Sequence, residues 1–148
     1  MRLNLSVQFA AARERCPPRA QVRAWVKAAM EEDVERADIT VRFVEEEEGR
    51  QLNQSFRHRD YATNVLSFTY AEGPELAGDL VICLPVLVRE AVEQAKSLEA
   101  HAAHLIVHGC LHLQGWDHET SEADAEAMEG RERQVLAALG YADPYAGA

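Results

Sequence analysis

Three histidines, His108, His112 and His118, with Gly115 between the second and third, narrow most sharply what this chain can fold into. Residues four apart on a helix project from the same face one turn apart, so His108 and His112 are expected side by side on an apolar helical stretch. Gly115 permits a sharp turn, after which the chain doubles back and carries His118 to the same point. The outcome is a His-x3-His-x5-His set of three neutral nitrogen donors with a fourth position left open, the pattern of a catalytic rather than a structural site. One ion is expected, and imidazole ligands point first to zinc, with nickel, cobalt and copper also compatible. A lone His-x3-His pair would suit an ordinary helix just as well; the third histidine is what favours a metal. His101 and His104 lie on the same stretch and are expected to be helix-surface histidines.

The spacing matches the zinc signature of the metzincin proteases, His-Glu-x-x-His-x-x-Gly-x-x-His, except that Gly109 stands where they carry glutamate. That glutamate activates water for peptide cleavage, and glycine has no group to replace it. Asp117 or Glu119 offers a substitute base or a support for a ligand, although the plainer reading makes each a carboxylate of the turn or helix start.

Around this motif the chain alternates between two periods. Leu3, Leu5, Val7 and Phe9 recur every second residue and predict a strand over 2–9, with further strands at 39–44, 64–70 and 79–83. Gly73, Pro74 and Gly78 read as turn signals before the last of these. Val22, Trp25, Val26 and Ala29 predict a helix, and Leu52 and Phe56 share a face of another that opens on the acidic run Glu45 to Glu48, a solvated helix start. From Pro85 to Leu113 the pattern is helical with a break near Ser97. Thr120 or Ser121 caps a last helix that Gly140 ends. The 148 residues are expected to form one domain with a real core.

A net charge of −10 repels a polyanion, so a nucleic-acid partner must be met by a local basic patch. Cys16, Cys83 and Cys110 are scattered and odd in number, which favours a reducing cytoplasm over a disulfide framework. The first residues lack the apolar core of a secretory signal, and no apolar run has transmembrane length, so no membrane partner is expected. The local basic patch is Arg57, His58 and Arg59. Arginine's planar fork suits phosphate oxygens, and Arg57 near the metal would stabilise charge building on phosphorus. From composition alone the plainer reading is a solvated loop pairing with Asp60.

The stretch from His108 to His118, His-Gly-Cys-Leu-His-Leu-Gln-Gly-Trp-Asp-His, resembles the signature of the YbeY family of bacterial rRNA maturation factors, with Trp116 in place of a tyrosine. Leu52 to Phe68 and Gly78 to Ile82 are similar to two more of its segments, with Phe56 for a tyrosine and Arg59 for a lysine, so the resemblance covers most of the chain. It implies an α/β (α+β) fold with a mixed four-stranded sheet and about five helices. It also implies a zinc-dependent endoribonuclease acting on single-stranded RNA in 16S rRNA maturation and ribosome quality control. His108, His112 and His118 would hold the zinc, Arg57 would be the catalytic arginine beside the cleft, and Arg59 a neighbouring substrate-binding cation. RNA and small-subunit ribosomal proteins are the implied partners. Two other readings stay open: a ribosome-assembly binding factor with a structural zinc, and a metallohydrolase of another substrate, which Gly109 disfavours.

Overall fold

The structure, a computed structural model, describes residues 1–146. Among them lie four strands and five α-helices: β1 (Arg2–Ala10), α1 (Arg19–Ala29), β2 (Arg36–Val44), α2 (Glu46–Arg57), β3 (Val65–Ala71), β4 (Glu75–Cys83), α3 (Leu84–Glu93), α4 (Leu98–Leu113) and α5 (Glu122–Ala138). The sheet order is β1-β2-β4-β3. β2 runs parallel to β1 and to β4, and the edge strand β3 runs antiparallel to β4, so the sheet is mixed as expected.

Alternation along the strands decides which helices cover which face. Ala37, Ile39, Val41 and Phe43 stand beside Leu76, Gly78, Leu80 and Ile82, and this face packs against Val22, Trp25 and Val26 of α1 and the length of α4. The opposite face carries Val44, Leu66, Val81 and Cys83, covered by Leu52 of α2 and Val86 of α3. Helix α4 touches α1, α3, α5, β3 and β4, and is therefore a central strut of the core. The expected break is present, and of the two candidate caps of α5 it is Ser121 whose hydroxyl accepts from a backbone N–H, that of Asp124; Ser97, at the break, caps α4 in the same way by accepting from Ala100 N–H, each at 3.0 Å. Gly140 adopts φ +91 after α5.

Strand β4 begins at Glu75, four residues before the expected start, and Gly78 belongs to its interior rather than to the turn. The reason is close approach. A Cβ on Gly78 would lie 2.6 Å from Leu113 Cδ2 and 2.8 Å from the Phe68 carbonyl oxygen, so this is where the end of α4 meets the β3–β4 ladder. Strand β2 likewise starts at Arg36, because the Pro74 carbonyl accepts from the N–H groups of Glu35 and Arg36. Gly78→Ala forces a shift of backbone as well as side chain, and is expected to destabilise the fold by about 3 kcal/mol, the upper end of overpacking costs. A urea melt against wild type measures it.

Candidate metal centre

His108 and His112 project from one side of the C-terminal half of α4, and their ring centroids are 4.9 Å apart. The helix is closed by backbone bonds from Gly115 N–H to His112 and from Trp116 N–H to Leu111, with Gly115 at φ +97. Glycine's freedom is needed here: the reversal swings His118 back until its ring lies 5.0 Å from that of His108 and 4.9 Å from that of His112. Gln114 fixes the start of this turn by donating to the Ala29 carbonyl and accepting from the Glu31 N–H, which ties it to the end of α1.

Each of the three imidazoles offers one nitrogen, and these atoms lie within 4.8 Å of one another. His112 Nε2 and His118 Nδ1 are 3.0 Å apart, so either a proton bridges them or both lone pairs converge on a shared cation. Burial, together with the neighbouring His108 and His118, lowers the pKa of His112 and favours its neutral, metal-binding form. The donor set fits a divalent transition metal.

The histidines form one wall of an open cleft of about 540 Å³, whose other walls are Thr63 to Phe68, leading into and along the edge strand β3, and Phe56 and Arg57 at the end of α2. That volume falls in the usual range for a small-ligand site and has room for a nucleotide. The turn after α2 is specific: His58 takes the left-handed conformation, φ 59, and buried Asn53 donates to the Tyr61 carbonyl at 2.7 Å. Asp60 pairs with Arg50 at 2.5 Å, not with the arginines beside it. Arg57 therefore faces the cleft with no ion pair among the described residues. Arg59 is exposed on the same turn but does not line the cleft. Phe56, 62% exposed, rests edge-on against Phe68 at the rim. Asp117 serves its turn, accepting from the Glu119 N–H, and both carboxylates line the cleft.

A family profile described as "Endoribonuclease YbeY" matches residues 9–140. The chain belongs to the YbeY family. Its relatives include an "Endoribonuclease YbeY" of Aromatoleum aromaticum, 57% identical over 148 residues that make up 98% of this chain and 94% of the relative. Another, from Acidovorax sp. (strain JS42), is 55% identical over 97% of this chain and 96% of its own length. Among solved structures, a Thermotoga maritima protein determined in solution superposes with a TM-score of 0.52 at 26% identity, covering 92% of this chain and 91% of that one.

In this YbeY-family chain the sequence reading missed what lies behind the histidines. His101 and His104 are not surface residues: His101 is 2% exposed and paired with Glu90 at 2.9 Å, and His104 is mostly buried. A helix apolar over most of its circumference, as α4 is, is buried over most of it, and His101 and His104 go with it. Glu132 of α5 is 0% exposed, with one carboxylate oxygen on His108 Nδ1 and the other on the Tyr145 hydroxyl and 3.6 Å from His104 Nε2. Burial pushes its pKa up, but the bonds from His104, His108 and Tyr145 win and hold it at about 2. A signal was present: Met128, Val135 and Leu136 mark the buried stripe of α5, and Glu132 falls on it.

Proposed function

We propose that this chain is a zinc-dependent endoribonuclease that cleaves single-stranded RNA in 16S rRNA maturation and takes part in ribosome quality control. The observation that carries the reading is the meeting of a three-histidine cluster and an unpaired arginine in one open cleft. The names of the relatives supply the substrate class. His108, His112 and His118 would hold one ion; zinc is favoured by the all-nitrogen donors, and the site does not exclude other divalent transition metals. When bound, such an ion supplies Lewis-acid polarisation of a phosphodiester or acidifies a water.

The chain's own groups do the rest. The Arg57 guanidinium grips phosphate oxygens and meets the negative charge that develops on them, at a point where net charge would otherwise repel RNA. Arg59, farther along the turn, extends this cationic edge toward the flanking strand. The open cleft at a sheet edge suits an unpaired strand, and Glu119 and Asp117 are the carboxylates within it that could accept a proton. The work would be done in the cytoplasm with small-subunit ribosomal proteins as partners. Cys16, Cys83 and Cys110 are free, and no described helix is long and apolar enough to cross a membrane.

The test is cleavage of a labelled single-stranded RNA by metal-loaded protein. Arg57→Ala is expected to lower kcat by about 10²–10³-fold, as loss of one charge-stabilising donor does, with metal content unchanged; Arg57→Lys keeps part of the rate. Product ends identify the attacking group: 2′,3′-cyclic or 3′-phosphate ends mark the RNA's own 2′-hydroxyl, and 5′-phosphate with 3′-hydroxyl ends mark water. Fully metallated protein that binds RNA or a ribosomal partner but leaves RNA intact would support an assembly factor instead.

A further inference from the structure

Glu132 occupies a position that physical chemistry reserves for an apolar side chain. It lies on the core-facing stripe of α5 with Met128, Val135 and Leu136, and its side chain is wholly buried. An ionised carboxylate there costs several kcal/mol of desolvation unless each oxygen is matched by a donor. Both are matched. One oxygen faces His108 Nδ1, and the other faces the Tyr145 hydroxyl, which His104 Nε2 also approaches at 3.2 Å. Tyr145 is itself held in place, because Asp143 accepts from its backbone N–H at 2.8 Å and pairs with Arg133 at 3.1 Å. The Arg133 guanidinium also lies over the Tyr145 ring, 5.2 Å from its centroid.

We infer that Glu132 is a positioning residue for the metal centre, acting through His108 and anchored by Tyr145 and His104. The inference rests on the three-histidine reading of the site. The geometry fixes which nitrogen does what. With Nδ1–H donated to Glu132, the lone pair of His108 sits on Nε2, away from the carboxylate and free to serve as a ligand. The ring cannot rotate without breaking that bond, and the adjacent negative charge raises the electron-donating power of Nε2. A purely structural contact would show itself in stability alone: its loss would leave metal affinity unchanged.

The two accounts separate in a competition titration of zinc against a chromophoric chelator, applied to the full-length wild type, Glu132→Gln, Glu132→Asp, Tyr145→Phe and His112→Ala. Glu132→Gln keeps the size and one acceptor oxygen but removes the charge and turns the other acceptor into a donor, and is expected to weaken zinc binding about 10–100-fold. Glu132→Asp recovers part of this, and Tyr145→Phe loses less than Glu132→Gln. Zinc binding by Glu132→Gln within about twofold of wild type overturns the inference. Wild-type binding that is absent, or that His112→Ala leaves intact, overturns the three-histidine reading itself. A second measurement does not depend on any variant folding: in metal-free wild type above the pH at which its histidines titrate, ¹⁵N chemical shifts must show His108 protonated at Nδ1. Protonation at Nε2 overturns the inference.

Discussion

Replacing His112 with alanine is expected to abolish metal binding and RNA cleavage together while leaving the protein folded. His112 is one corner of a triangle of rings 4.9, 4.9 and 5.0 Å apart, so its loss leaves only two of the three donors. Among the described residues His108, His112 and His118 are the one group of this kind, and nothing nearby takes over. Loss of a supporting residue behind a ligand already costs about 10–100-fold in affinity or activity, so loss of a ligand should cost more than ~100-fold in both. The fold should survive because His112 is half-exposed at the cleft and not part of the core. Metal-to-protein stoichiometry, cleavage of labelled single-stranded RNA and a thermal melt on one preparation check all three statements. A chelator should reproduce the cleavage result in wild type. A His112→Ala variant that still cuts RNA at the wild-type rate would remove the chemistry from this cleft.

Gly109→Glu, which would restore the metzincin sequence, is expected to produce an unstable protein rather than a peptidase. Gly109 does not face the cleft with its neighbour His108. It lies on the sheet side of α4, where a Cβ would sit 2.7 Å from Leu80 Cδ2 and 3.2 Å from Cδ1, and Leu80 is fully buried in the middle of β4. A glutamate there must displace the core and bury a carboxylate with no donor, and the two penalties together exceed ~4 kcal/mol. Gly109→Ala is the control. Its single methyl meets only the movable end of Leu80, and alanine gains about 1 kcal/mol over glycine in helix propensity, so its net effect should be small. Denaturant melts of the two variants test the ordering, and a Gly109→Glu variant as stable as wild type would contradict the packing described above.

This packing shows what was legible in the sequence and what was not. Local rules were enough for the histidine spacing, the Gly115 reversal, the break near Ser97, the narrowing of the α5 cap to Thr120 or Ser121 and the end of α5 at Gly140, since each depends on a few neighbouring residues. They misplaced Gly78, because glycine marks both a turn and a close approach, and only Leu113, 35 positions on, decides between them. They placed His101 and His104 at the surface, as the polar residues of a helix usually are, whereas most of the circumference of α4 is buried. The partner of His108 could not be read from spacing at all: Glu132 comes from another helix, and only the stripe it interrupts betrays it. Arg57 stood out in the sequence as a cation in an acidic chain, but its freedom from Asp60 is seen only in three dimensions, where Arg50 takes that carboxylate away.

The bond between Glu132 and His108 also orders events in time. Glu132 follows His108 by 24 residues and Tyr145 follows Glu132 by 13. At ordinary translation speeds Glu132 is made about 1–5 s after His108. A nascent chain therefore holds its three histidines before it owns the carboxylate that faces one of them, and that carboxylate before the tyrosine bonded to it, so the complete centre can assemble only once α5 and the segment after it have been made.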